Sequence, residues 1–223
     1  MNLFAVIPAY NAENTIARVI HGCVAQMPRE NIIVVDDGSS DSTRNLVEQS
    51  GATIIVHQTN RGKGAGLRSG FSASLKYGCD GVITLDADLQ HDPASIPDFL
   101  EAAETNPEWG IIIGTRWRSG SKMPWDRRLS NKWTSIMLSL RTGQKISDSQ
   151  SGYRFIRRDV IENVVTKENG FMAETEILIR ASMAGYKIGS LDIPTIYADE
   201  GSHINKFKDS FKFISLYLRS IFW

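Results

Sequence analysis

Two aspartates two positions apart, Asp86 and Asp88, stand directly behind the apolar run 82–85. If that run is a buried strand opening into a turn, both carboxylates can project into one crevice. Hard divalent cations such as Mg2+ or Mn2+ seek a carboxylate or two together with substrate phosphate oxygens. A D-x-D pattern also suits an ordinary turn, because Asp favours turns; the position behind a strand, with Gln90 beside it, favours the metal. Two further polar clusters follow apolar runs: Pro8-Ala9-Tyr10-Asn11 behind 3–7, and Asp36-Asp37-Gly38-Ser39 behind 32–35. Acidic residues at a strand end can bind a nucleotide's ribose or base. Asp36 and Asp37 equally suit a turn before a helix capped by Ser39 or Asp41. The glycine-rich run 60–66, N-R-G-K-G-A-G, fits neither the G-x-G-x-x-G fingerprint nor a G-K-[ST] loop, so dinucleotide binding is not expected. It reads as a turn into a helix, with Lys63 near the phosphates. His21, His57, His91 and His203 have no zinc-ligand spacing.

These clusters need a scaffold that brings strand ends together. Short apolar runs at 3–7, 32–35, 53–56, 82–85 and 111–114 alternate with helix-length amphipathic stretches at 14–26, 42–49, 64–76 and 93–103. Such alternation predicts an α/β fold whose parallel sheet is covered on both faces, and ligands then bind at the carboxyl ends of the strands. Beyond Thr115 the rhythm breaks into a basic loop, a helix over 131–141, a strand over 153–156, a helix over 173–184, a strand over 188–196 and a last helix from 207. No linker-like run divides the chain. We therefore expect one domain over 1–205, in halves 1–115 and 116–205, followed by a helix over 206–223. Cys23 and Cys79 read as buried reduced thiols of a cytosolic protein. The amino-terminal residues do not read as a signal peptide, and no run reaches the ~20 apolar residues that span a bilayer.

The formal net charge is zero, from 25 basic and 25 acidic residues. That excludes a bulk nucleic-acid binder. The zero is nevertheless a sum of unlike parts. Between Thr115 and Arg158 eleven Lys and Arg face only Asp126 and Asp148, with Trp117, Trp125 and Trp133 interleaved. The plain reading of that excess is a solvated face; the functional one is a surface for an anion at a bilayer, where Trp gathers at the water–lipid boundary. The stretch 206–223 sets Phe207, Phe211, Ile214, Leu218 and Ile221 on one helical stripe beside Lys206, Lys208, Lys212 and Arg219. A basic amphipathic helix of this kind suits a membrane interface or, equally, packing on the core.

Five ordered motifs, V-I-P-A-Y-N, V-V-D-D-G-S-S-D-S-T, N-R-G-K-G-A-G, L-D-A-D-L-Q-H-D-P and D-S-Q-S-G-Y-R, make residues 3 to 205 resemble the family 2 glycosyltransferases of GT-A fold. The later motifs resemble the branch that makes dolichyl- or polyprenyl-phosphate sugars. The resemblance implies a nucleoside-diphosphate sugar donor (UDP- or GDP-sugar) held by Pro8, Ala9, Tyr10 and Asp37, with Asp36, Lys63 and Ala87 alongside. It implies a divalent cation, Mg2+ or Mn2+, on Asp86, Asp88 and Gln90. Many relatives carry an acid where this chain has Ala12; Glu13 is next door. The family's acceptor-side positions fall on Arg116, Arg127, Arg128, Ser130 and Arg154, with His203 where a basic residue is usual, and Arg127 and Arg128 count with Asp86 and Asp88 as catalytic.

The expected reaction is an inverting transfer to a polyprenyl phosphate at the cytoplasmic face of a membrane, by a peripheral protein and without nucleic acid. A phosphate monoester is ionised near neutrality and needs no base, whereas a sugar-hydroxyl acceptor would need one, for which Asp148 is the candidate unless it only orients Arg154. Two alternatives stand beside this reading: a family 2 transferase acting on a saccharide hydroxyl in cell-surface polysaccharide synthesis, and a non-catalytic nucleotide-sugar or anionic-lipid binding protein. The lack of the transmembrane segments some relatives carry leaves room for a separate membrane-protein partner.

Overall fold

The computed structural model describes residues 1–116, 125–194 and 206–223, apart from the side chains of residues 125–127 and 206–209. The chain begins as βα units: β1 (Leu3–Ala9), α1 (Ile16–Val24), β2 (Ile32–Asp36), α2 (Thr43–Ser50), β3 (Thr53–Val56), α3 (Lys63–Lys76), β4 (Gly81–Thr84), α4 (Ile96–Thr105) and β5 (Trp109–Thr115). Then follow α5 (Trp125–Thr142), β6 (Arg154–Arg157), α6 (Arg158–Asn163), α7 (Met172–Met183), β7 (Lys187–Asp192) and α8 (Lys206–Ser220). The strands form one seven-stranded sheet in the order β3-β2-β1-β4-β6-β5-β7.

The central strands are unbroken apolar runs because both faces are covered. Every residue of β2 and β4 is buried. On one face Ala5, Ile7, Ile32, Val34, Ile83 and Phe155 pack with Ile16, Ile20 and Cys23 of α1 and Phe99 of α4. On the other, Val6, Ile33, Val35 and Val82 meet Leu67 of α3, while Ile111, Ile113 and Ile156 meet Leu138, Ile177 and Leu178 of α5 and α7. The edge strand β3 is only partly covered.

The sheet is parallel except at β6, which runs antiparallel to both β4 and β5. The sequence reading had no means of showing this insertion. Its reason is the route of the chain: residues 143–153 return along the carboxyl ends of the parallel strands, so the strand leaving that end must run the other way. The register pairs Thr84 with Arg154, and Thr84 Oγ1 donates to Gly152 O at 2.7 Å. The turn 148–152 is thereby set beside the residues that follow β4.

Three boundaries differ from expectation. The helix expected over 131–141 starts at Trp125 and so includes the Arg127–Arg128 pair. The six-residue α6 is too short to announce itself by period. β7 ends at Asp192, two residues before Pro194, which cannot donate to a ladder; residues 195 and 196 of the expected strand lie outside the described residues.

The last helix proves to have two working faces. Phe213, Leu216 and Ser220 are buried, whereas Phe211, Ile214, Leu218 and Ile221, the stripe singled out in the sequence, are exposed. Arg141 Nε donates to Ser220 Oγ at 3.0 Å, and the Trp133 and Phe213 rings meet at 5.5 Å. Among the described residues no helix is long and apolar enough to cross a membrane.

α3 sits close on the sheet because Gly66 and Gly70 face it. A methyl group on Gly70 would run into the Val6 side chain of β1. Gly70→Ala is therefore expected to cost about 1–3 kcal/mol by overpacking, without the gain that Ala normally brings to a helix interior. Urea denaturation of the variant beside the native chain measures it.

Candidate active site

The loops behind β1 and β2 are laced together by their own polar side chains. Asn11, at φ 49°, accepts the Ser40 N–H at 2.9 Å through Oδ1, and its own N–H donates to Ser39 Oγ at 2.9 Å. Glu13 Oε2 accepts the Ser42 N–H at 2.9 Å, and Asp41 Oδ1 accepts the Thr43 N–H at 3.0 Å. Asp41 and Glu13 thus satisfy the amino-terminal donors of α2, which leaves Ser39 to serve β1's loop. Tyr10 stands exposed at the rim, where an aromatic face is open to a ligand.

Asp36 and Asp37 are both buried. Asp36 Oδ1 accepts the Ser39 N–H at 3.0 Å. Asp37 accepts the backbone N–H groups of Arg61 and Gly62 at 3.0 and 2.7 Å, and His57 Nδ1 lies 2.6 Å from its Oδ1. Asp37 therefore fixes the turn that starts α3. Gly62 allows this at φ 89°, and Gly64 lies where the Ala173 methyl and the Glu168 carbonyl leave no room for a Cβ.

That turn delivers Lys63 to the centre of the site. Its Nζ lies 2.5 Å from Asp86 Oδ1 and 3.0 Å from Glu174 Oε2. Burial would lower the Lys63 pKa, but the two carboxylates outweigh it and raise it. Burial would raise Asp86; the Lys63 ammonium overrides it, with His91 and Arg116 behind, and holds the carboxyl down at about 2. Asp88 shifts the other way, raised by its own burial and by the Asp86 charge beside it. Asp88 Oδ1 accepts the Gln90 N–H at 3.0 Å, across Leu89 at φ 63°.

Two adjacent carboxylates whose charges oppose each other, one already drawing a cationic side chain, fit a hard divalent cation. Among the described residues no three His, Cys, Asp or Glu side chains gather to enclose an ion. The protein would thus offer Asp86 and Asp88, with Gln90 alongside, and the remaining oxygens would come from substrate and water, as Mg2+ and Mn2+ ordinarily accept. Ala87 lies between the two aspartates, partly buried against the core.

The second half reaches the same strand ends. Asp148 is fully buried and takes the Arg116 guanidinium on both oxygens, Nε at 2.8 Å and Nη2 at 3.0 Å, together with the Asn131 amide at 2.6 Å. Burial works against that charge; Arg116 and Asn131 prevail and lower its pKa. Asp148 therefore orients Arg116, not Arg154. Arg154 itself is spent on backbone: its guanidinium donates to the carbonyls of Ser151, Ser149 and Glu174 at 2.8, 2.9 and 2.6 Å, and it is almost wholly buried. It holds the 148–152 turn rather than facing solvent. Ser130 and Arg128 stand exposed on the first turns of α5. The Arg127 side chain and His203 lie outside the described residues.

Several participants escaped the sequence reading. Glu174 and Glu176 open α7 as apparently ordinary first-turn acids; their signal is the apolar run behind them, which marks a buried helix. Glu176 Oε2 accepts the Lys167 and Glu168 N–H groups at 2.7 and 2.8 Å. Asn131, Thr134 and Ser135, at helical spacing, bind the 148–152 turn: Thr134 Oγ1 lies 2.8 Å from Ser149 Oγ, and Ser135 Oγ accepts the Ser149 N–H at 3.0 Å. His91 stacks on Tyr153 with centroids 5.1 Å apart, and its Nδ1 accepts the Asp86 N–H at 3.1 Å.

Burial pushes His91 from 6.5 down to about 4 and keeps it neutral. The unfolded chain binds the proton that the folded one refuses, so its share of stability is present above about 6.5 and is lost as pH falls toward 4. Urea denaturation across that window is expected to show a decline on the order of a few kcal/mol, and a His91→Gln variant should lack this share of the slope.

Residues 4–165 match the family model described as glycosyl transferase family 2. Over 221 residues the chain is 27% identical to polyprenol monophosphomannose synthase of Mycolicibacterium smegmatis, covering 92% of this chain and 80% of that one. Over 219 residues it is 28% identical to the UDP-N-acetylglucosamine–dolichyl-phosphate N-acetylglucosaminyltransferase of Methanococcus voltae, covering 88% and 86%. Among solved structures, glucosyl-3-phosphoglycerate synthase of Mycobacterium tuberculosis with UDP superposes at a TM-score of 0.77, 21% identity, over 98% of this chain and 79% of that one. The same enzyme with Mn2+, UDP and glucosyl-3-phosphoglycerate gives 0.74 at 18% identity, over 99% and 78%. The structural likeness shows the GT-A fold, and the family match places the chain among glycosyltransferases: it belongs to glycosyl transferase family 2.

Proposed function

We propose that the protein is an inverting transferase that moves a sugar from a nucleoside-diphosphate sugar to the phosphate of a polyprenyl or dolichyl phosphate. The observation that carries this reading is the engagement of Asp148. A sugar-hydroxyl acceptor needs a carboxylate base within reach of the attacking oxygen, and Asp148, the candidate for that work, is fully buried with Arg116 and Asn131 on its oxygens. An ionised phosphate oxygen needs no such base. The named relatives that use polyprenyl or dolichyl phosphates support the same acceptor. The paired Asp86 and Asp88 favour an enzyme over a silent binder.

In this reading the donor lies across the ends of β1, β2 and β4. Tyr10 and the 8–11 loop flank its base, Asp37 holds the loop that presents Lys63, and Asp86 and Asp88 face its diphosphate. Glu13 and Asp36 brace the ribose side through the contacts they make with the 39–42 turn. A divalent cation on Asp86 and Asp88, for which a relative's Mn2+ complex is a precedent, would stabilise the departing diphosphate as a Lewis acid. On the acceptor side, Arg116 is held in one orientation by Asp148. Arg127, Arg128 and Ser130 sit at the amino-terminal turns of α5, where backbone N–H groups and the helix dipole favour an anion. Their work is to bring two anions together in line and hold them, so that catalysis is positioning and charge compensation. His203 remains a further acceptor-side candidate. Arg154 acts indirectly, by shaping the turn beside Asp86.

The lipid acceptor requires a protein that works at a bilayer surface. Leu129, Trp133, Ile136 and Leu140 on α5 are exposed at helical spacing, and Phe211, Ile214, Leu218, Ile221 and Phe222 on and behind α8 are exposed next to them, Phe222 at 88% and Phe211 at 75%. Single exposed apolar residues are ordinary; a two-helix patch rimmed by Lys132, Lys212 and Arg219 suits an interfacial surface. A separate membrane-protein partner is not required by it.

Two measurements test the proposal. With labelled UDP- or GDP-sugar and polyprenyl phosphate, label should enter the solvent-extracted lipid phase, and Asp88→Asn should lower that rate at least about a thousandfold while the melting temperature holds; label entering only a saccharide would overturn the acceptor. Replacing Phe211, Leu218 and Phe222 together by Ser should weaken binding to anionic vesicles at least about a hundredfold, since each large apolar side chain contributes about 1.5–3 kcal/mol on burial. The melting temperature should stay put, because none of the three is in the core.

A further inference from the structure

Both oxygens of Asp86 are already bounded. Oδ1 is 2.5 Å from Lys63 Nζ. On the other side a Cβ built on Gly152 would stand 2.7 Å from Asp86 Oδ2, 2.9 Å from Lys63 Nζ and 3.0 Å from Glu174 Oε1, so the backbone of the 148–152 turn closes over the group. An incoming cation reaches Asp86 only by displacing the ammonium. Lys63 has somewhere to go. It is the first residue of α3, its stem is flexible, and Glu174 Oε2 at 3.0 Å holds it independently of Asp86. A diphosphate arriving at this helix end offers it a third, doubly charged partner.

We propose that Lys63 is the resident counter-ion of Asp86 in the donor-free enzyme and makes cation binding depend on the donor. The ammonium excludes the free divalent cation. The diphosphate draws the ammonium off Asp86, and Glu174 keeps it within the site as it moves. Cation and nucleoside diphosphate then bind with positive coupling, and by linkage each tightens the other equally. Glu174 is a positioning residue in this scheme, since it acts on Lys63 and not on the reacting atoms. The inference rests on the reading of Asp86 and Asp88 as the cation site, and it adds a mechanism by which that site is kept shut.

Mn2+ binding followed by electron paramagnetic resonance tests it without any turnover. For the native chain, UDP or GDP, whichever binds, should tighten Mn2+ at least about tenfold, within the usual span of coupling between sites. Lys63→Met should bind Mn2+ without nucleotide at least about tenfold more tightly than the native chain, and the nucleotide should add little further. Glu174→Gln, which leaves Lys63 to Asp86 alone, should weaken nucleotide-free Mn2+ binding, and it keeps the test open if Lys63→Met does not fold. Equal Mn2+ affinity in native and Lys63→Met chains, with the nucleotide effect intact in both, would overturn the inference while sparing the cation site. Absence of Mn2+ binding in the native chain with either nucleotide would instead overturn the cation site itself.

Discussion

A lysine ammonium held in the interior between two carboxylates, Asp86 and Glu174, is the constraint around which the protein is arranged. Charges taken out of water are costly unless paired at close range and in good geometry. Three separate segments must therefore deliver their groups to one point: the turn into α3 brings Lys63, the end of β4 brings Asp86, and the first turn of α7 brings Glu174. Each delivery has its own brace. Asp37 fixes the first, Thr84 and His91 the second, and Arg154 and Glu176 the third, through the Glu174 carbonyl and the 167–168 backbone. Much of the buried polar chemistry of the molecule is the means of holding those three groups together.

The same logic explains why the acidic and basic parts of the chain are interleaved rather than stacked. Inserting β6 against β4 carries the basic half's 148–152 turn across to the acidic half's aspartates. Arg116 enters from the end of β5 and Asn131 from α5, and both converge on Asp148 beside that turn. The net charge of zero is thus a local matter as well as a global one. Anions can be compensated from both sides of a single crevice, and the surplus of positive charge lies on the side assigned to the acceptor.

The donor half was legible because its signals are local. Buried parallel strands read as apolar runs, and the residues behind them are polar for want of anything else to do at a strand end. The run 53–56 is β3 to the residue, and Asp86 and Asp88 lie where the pattern put them. What escaped depended on residues far apart in sequence. Nothing near Arg154 announces that it will spend its guanidinium on three carbonyls, and its reading as a phosphate ligand followed from its residue type. Glu174 looks like any acid at a helix start until α7 is known to be buried. The direction of β6 is a property of the loop preceding it, not of Arg154–Arg157. For α8 the sequence offered two readings of one helix, and the molecule uses both, one on each face.

The place of β6 in the sheet has a consequence for how the protein is made. Its neighbours β4 and β5 both leave the ribosome before it, yet they do not touch in the finished sheet until β6 lies between them. The amino-terminal βα units can associate early through short-range parallel pairings, whereas the centre of the sheet waits for residue 157. Pairings that bridge such separations are slow to form, and unfilled strand edges invite misassociation. The nascent chain therefore carries a gap in its sheet through some forty residues of synthesis, and the aspartates behind β4 acquire their final surroundings only when that gap closes.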